Sequence, residues 1–156
     1  MPNMLDLPIL SRIRRNHGLE HATLTTLARR FPRQPMAGYS DMGGFWIVGN
    51  LDTEAVTEAA MEALDRLRKG ERALAIHPNC GTNFAVAGTL AGLAGAVTML
   101  VGGTRKQKLE RLPLAAVLAT VTLVAAQPLA YQVQSRITTS GEPGGLRISE
   151  VLRQEQ

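Results

Sequence analysis

The rhythm of apolar and polar positions changes three times along this chain. Over residues 12 or 16 to 31, apolar and small residues recur at helical spacing. His17, His21, Leu24 and Ala28 lie on one stripe and Glu20, Leu24, Leu27 and Phe31 on an overlapping one, until Pro32 and Pro35 stop the run. The lead-in 1–11, interrupted by Pro2 and Pro8, predicts no regular helix, although Leu5, Leu7, Ile9 and Leu10 could pack. From 36 to 50 small turn residues surround the run Phe45-Trp46-Ile47-Val48, strand-like in its aromatic and β-branched content, with Phe45 and Trp46 as core or interface anchors. Gly43-Gly44 predicts a hairpin turn whose first arm covers about 37–40. Helical spacing returns over 53–69, with Val56, Ala59, Ala60, Ala63, Leu64 and Leu67 as the buried stripe. Asp52 or Thr53 can cap its start. Glu54 and Glu58 suit the positive end of its dipole, and Arg66, Arg68 and Lys69 the negative end.

Ala73-Leu74-Ala75-Ile76 predicts a third strand ending at His77. Strand, helix and strand in succession imply a right-handed βαβ unit, with the Phe45 and Leu74 runs parallel. His77 would then stand at the C-terminal edge of a strand, a usual place for a site in α/β structure. The expectation is an α+β fold, a small α-β-β-α-β domain over 1–83.

The pattern then becomes continuous. Residues 84–103 and about 112–133 carry no charge, and each run is about the 20 residues a helix needs to span a bilayer. Arg105, Lys106, Lys108 and Arg111 fill the connection, Gln127-Pro128 predicts a kink, and Tyr131 suits an interface. The rest of the chain is too small to wrap two such helices, so 84–134 reads as a two-helix transmembrane hairpin. Asn83 or Thr82 can cap its first helix. Ala87, Ala91 and Gly95 lie on one line of that helix and Gly88 and Gly92 on another. These small residues let a second helix approach, from a membrane-protein partner or another copy of the chain. Residues 135–156 read as a flexible tail opening on Ser140-Gly141-Glu142-Pro143-Gly144-Gly145, in which Ile148, Val151 and Leu152 could form one or two amphipathic turns.

Composition changes this picture little. The net charge is +4 and the isoelectric point about 9.8, but basic residues are scattered and aromatics few. Nucleic acid is therefore disfavoured and membrane lipid favoured. No secretory signal is legible in the first residues. The basic loop would place that loop in the cytoplasm, whereas export of a basic domain without a signal is hard. The expectation is a multi-pass protein of the inner (cytoplasmic) membrane with its soluble domain cytoplasmic.

The candidate chemistry is concentrated. All three histidines and the one cysteine fall in Asn16-His17-Gly18-Leu19-Glu20-His21-Ala22-Thr23 and His77-Pro78-Asn79-Cys80-Gly81-Thr82-Asn83. His17 and His21 are one helical turn apart and share a face. With Glu20 they form H-x-x-E-H, the inverted zinc-peptidase pattern. His77 and Cys80 supply the remaining nitrogen and sulfur, a mixture that suits zinc. Four protein ligands (His17, His21, His77, Cys80) would close the site around a structural metal. Three would leave an open position, with Glu20 as general base of a hydrolase. Because Cys80 closely precedes the first apolar run, the site is expected at the bilayer surface.

The pair His17-Gly18-Leu19-Glu20-His21 and His77-Pro78-Asn79-Cys80-Gly81-Thr82 resembles the motif pair of the YqhQ-like bacterial membrane proteins, a family of unknown function described as predicted metal-dependent enzymes. The resemblance covers about 16–103 and implies that His17, Glu20, His21, His77 and Cys80 form the site. This chain differs in having no apolar segment before the first motif and only two spans. The expectation is a zinc-dependent hydrolase-like membrane protein. The alternatives are a non-catalytic subunit or assembly factor with a structural metal, and a peripheral binder of anionic lipid.

Overall fold

The computed structural model describes residues 4–153, so residues 1–3 of the expected lead-in and 154–156 of the expected tail lie outside the described residues. The chain is mixed α/β and mostly helical. It divides into two compact units, one formed by Met1–His77 with Ser135–Gln156, the other by Pro78–Gln134.

In the first unit, helix α1 runs over Pro8–Arg30 and begins earlier than expected. Pro8 stands at its first position, where a missing N–H costs nothing and the fixed φ favours the helix. Strands β1 (Met36–Ser40) and β2 (Phe45–Gly49) form an antiparallel hairpin with Tyr39 opposite Trp46. Those two rings stack with centroids 4.6 Å apart. The turn is closed by the Asp41 carboxylate, which accepts hydrogen bonds from the N–H groups of Gly43 and Gly44. Asn16 Nδ2 donates to the Asp41 carbonyl at 2.7 Å and ties the hairpin to α1.

Helix α2 (Thr53–Arg68) buries Ala59, Ala60, Ala63, Leu64 and Leu67, as its spacing predicts. Its small residues let it pack closely on α1. Leu19, Ala22, Ala63, Leu64, Leu67, Leu74 and Ala75 form the core, with Phe45, Leu146 and Ile148 against it. At the rim Arg30 bridges Glu58 and Glu62 at 3.0 and 2.6 Å.

The third strand is not formed. Arg72–Ala75 is a short 3-10 turn, and the only sheet among the described residues is the two-stranded hairpin. Gly70, at φ +95°, reverses the chain after α2. The N–H groups of Leu74 and Ile76 then bond locally to the carbonyls of Glu71 and Ala73, which removes them from any ladder. Two alanines in a four-residue run are weak strand formers, and the parallel βαβ unit drawn from them falls with the strand.

The segment expected as a flexible tail belongs to the first unit. Ser140 N–H donates to the Arg14 carbonyl at 2.9 Å, Arg68 Nη2 to the Leu146 carbonyl at 2.9 Å, and Arg72 pairs with Glu142 at 2.7 Å. Its glycines allow close packing as well as turns. A Cβ at position 141 would stand 2.8–2.9 Å from Arg72.

In the second unit, α3 (Gly81–Leu100) is the one helix long and apolar enough to cross a membrane. It starts before the expected caps, with Cys80 as its N-cap residue. Asn83 instead turns inward, donating from Nδ2 to the Pro78 carbonyl at 3.1 Å and to Gln134 Oε1 at 3.2 Å. After a short helix α4 (Arg105–Glu110), the second apolar run is divided into α5 (Leu112–Ala125) and α6 (Gln127–Val133). A π-helical turn over Gln134–Thr138 continues α6, and the two parts meet at 47°. The Gln127-Pro128 kink is thus present and large. It leaves α5 about 21 Å long at 1.5 Å per residue, short of a hydrocarbon core of about 30 Å. A hairpin of two complete spans is therefore not established.

Ala87, Ala91 and Gly95 are used inside this unit. Ala87 and Ala91 are buried, and a Cβ on Gly95 would meet Ala119 Cβ at 3.7 Å and the Ala115 carbonyl at 3.8 Å. Gly88 and Gly92 have open space where a Cβ would stand.

Candidate metal centre

His17 and His21 project from the same face of α1, as an i, i+4 pair must, with ring centroids 4.4 Å apart. His21 is buried and His17 half-buried. Each ring is held by a backbone carbonyl. Nδ1 of His17 lies 3.0 Å from the Thr138 carbonyl, and Nδ1 of His21 lies 2.8 Å from the Ala75 carbonyl. A carbonyl oxygen can only accept, so Nδ1 carries the proton in both rings and the lone pair falls on Nε2. Ring N–H donated to a backbone carbonyl is the usual support of a metal-ligating histidine, because it fixes both tautomer and ring plane.

His17 and His21 offer two ligand atoms from one helix face of the first unit, and Cys80, at the head of α3, is the further donor expected from the sequence. Two imidazoles and a thiol suit zinc by donor chemistry. Cys80 is buried and, as the only cysteine, can form no intrachain disulfide. The ring of His77 is 5.7 Å from that of His21, centroid to centroid. Glu20 is 3% exposed, and its carboxyl lies against Gly38 of β1, where an added Cβ would be 2.6 Å from Oε1.

The 3-10 turn that replaces the expected strand presents the Ala75 carbonyl to His21, and the C-terminal segment presents the Thr138 carbonyl to His17. Sequence reasoning misses both, because a backbone carbonyl has no residue signature. One signal was present in Gly18, an interior glycine that costs a helix roughly 1 kcal/mol against alanine. A Cβ there would collide with the Ser140 carbonyl and stand 3.3 Å from Ala75 Cβ. The glycine is the gap through which the segment carrying Thr138 reaches α1, one residue from His17.

Fold and site together define a small mixed α/β unit, with paired helix histidines supported from the backbone, joined in one chain to apolar helices. The chain belongs to the family described as a domain of unknown function, DUF6391, whose match covers residues 12–151. It is 38% identical over 149 residues to an uncharacterized protein of Picosynechococcus sp. (strain ATCC 27264 / PCC 7002 / PR-6), an alignment spanning 89% of this chain and 71% of that protein. No solved structure matches. Membership in a family of unknown function is therefore established, whereas the YqhQ-like name suggested by the motif pair does not appear in these comparisons.

Proposed function

We propose that this protein is a zinc-dependent hydrolase-like membrane protein in which His17, His21 and Cys80 bind the ion and a fourth position is left for water or substrate. The observation that carries the reading is the pair of helix histidines, whose rings stand 4.4 Å apart with each Nδ1 held by a backbone carbonyl. With Cys80 as the third donor the site keeps an open position, the pattern of catalytic rather than structural zinc. Zinc bound there would supply Lewis acidity toward a carbonyl or phosphoryl oxygen. His17 and His21 would hold it through Nε2 and Cys80 through its thiolate. Glu20, expected as general base, would have to turn from its seat against Gly38 to act.

Membrane attachment rests on α3. Only 17% of its apolar window is buried, and Phe84, Leu93, Val97 and Leu100 are exposed, whereas the core helix of a soluble protein would be mostly covered. Cys80 immediately precedes this helix, so a substrate in or at the bilayer fits the reading. The cytoplasmic placement of the first unit and the inner-membrane location belong to the same proposal.

Metal content of the detergent-purified protein tests the core of it. One zinc per chain is expected, lost in His21→Ala and in Cys80→Ser. Absence of zinc in the wild type would end the proposal. A structural metal in a non-catalytic subunit is favoured by one observation, the His77 ring beside His21, from which a fourth ligand could close the site. His77→Ala separates the two. Retained zinc supports three ligands, and lost zinc supports a closed site.

A further inference from the structure

We infer that the C-terminal segment Thr138–Gly141, together with Gly18, is a positioning part of the metal centre, an assignment that rests on the zinc reading above. Five contacts place this segment, with Arg136 just before it, on α1 around His17. The Thr138 carbonyl accepts a hydrogen bond from His17 Nδ1–H at 3.0 Å. Ser140 N–H donates to the Arg14 carbonyl at 2.9 Å. Arg14 Nη2 reaches across to the carbonyls of Arg136 and Thr139 at 3.0 and 3.2 Å. The Ser140 carbonyl sits where only a glycine at position 18 leaves room. On its other side the segment lies against the 3-10 turn, with Gly141 on Arg72. That turn carries Ala75, whose carbonyl holds His21.

One short stretch, coming after the apolar helices in the chain, therefore supports one histidine directly and touches the turn that supports the other. Its chemical effect is to keep His17 in the Nδ1–H tautomer, so that Nε2 presents its lone pair without a rearrangement on binding. A methyl group at position 18 displaces the Ser140 carbonyl and with it the Thr138 carbonyl. His17 then loses the acceptor that selects its tautomer, while Ala75, met by the same methyl group only at 3.3 Å from its Cβ, has to give far less, so His21 is disturbed less than His17. Loss of such a support costs a metal site about 10- to 100-fold in affinity.

The test uses full-length protein in detergent with zinc as the probe. It measures zinc affinity by competition with a chelator, and the ring tautomers of the metal-free protein by 15N NMR of labelled histidine. In the wild type both His17 and His21 are expected as Nδ1–H. Gly18→Ala should weaken zinc binding about 10- to 100-fold and move His17 further than His21 toward the Nε2–H tautomer. Arg14→Met adds no bulk to the helix contact and removes the bonds to Arg136 and Thr139, so it should act in the same direction even if Gly18→Ala fails to fold. A wild type that binds zinc, with affinity and His17 tautomer unchanged in Arg14→Met and in a folded Gly18→Ala, overturns this inference and leaves the metal site standing. A wild type that binds no zinc overturns the metal site itself.

Discussion

Gly38→Ala probes where the Glu20 side chain sits, and its cost can be worked from the contacts. Position 38 is in β1, paired with Ile47, and is not among the glycines with positive φ. Alanine there carries no backbone strain and gains about 0.4–1 kcal/mol by restricting the unfolded chain. Against this, its methyl group would lie 2.6 Å from Glu20 Oε1 and 3.0 Å from Cγ and Cδ. Glu20 is 3% exposed and cannot move aside into solvent without unpacking the hairpin from α1. Overpacking of this kind costs about 1–3 kcal/mol, so the net expectation is a loss of about 1–2 kcal/mol. For a unit of roughly 100 residues that lowers Tm by about 4–16 °C at 4–8 °C per kcal/mol. The assay is thermal unfolding followed by circular dichroism, run as a double-mutant cycle with Glu20→Ala. Once the carboxyl is removed, Gly38→Ala should become neutral or stabilising. An equal cost in both backgrounds, or no cost in the wild type, would refute the placement of Glu20 against β1. Zinc content measured on the same samples should be unchanged by Gly38→Ala, because the three atoms nearest that methyl group all belong to Glu20.

Three further outcomes are expected. Leu27, fully buried on α1, should cost about 2–5 kcal/mol when cut to alanine, measurable by urea unfolding of the first unit's signal in detergent. Asn83→Ala removes the donor to both the Pro78 carbonyl and Gln134 and should destabilise the start of α3 by about 1–3 kcal/mol. Faster hydrogen exchange at residues 81–87 would report it, and unchanged protection would contradict it. Glu71 accepts hydrogen bonds from Arg66, which hold its carboxyl below the usual carboxylate range. A depressed folded-state pKa contributes stability above the unfolded-state value and loses it as pH falls through the folded one. The wild type should therefore lose more stability between pH 7 and pH 3 than Glu71→Gln does; equal losses would show that this pair does not contribute.

Much of the first unit was legible because its signals are local. The stripe of small and apolar residues on α2, the Gly43-Gly44 turn and the i, i+4 spacing of His17 and His21 each depend on the geometry of one element. The kink at Gln127-Pro128 was legible for the same reason, since proline acts on its own helix. The third strand was misread because Ala73-Leu74-Ala75-Ile76 is short enough to suit either a strand or a turn. Gly70 and the local bonds of Leu74 and Ile76 decided for the turn. The start of α1 was misread because Pro8 breaks a helix interior but initiates a helix at its first position.

The sequence by itself determined the inventory of the candidate centre, for the chain has no other histidine or cysteine, and it determined which stretches are apolar enough for a bilayer. Tertiary structure decided how that inventory is used. It laid the Glu20 side chain against β1, and it brought backbone carbonyls from a 3-10 turn and a supposed tail onto the two helix histidines. The physical reason is that a side chain announces its donor atoms in the sequence, whereas a carbonyl is the same in every residue. Only the path of the chain, admitted here by a glycine at position 18, decides which ring it meets.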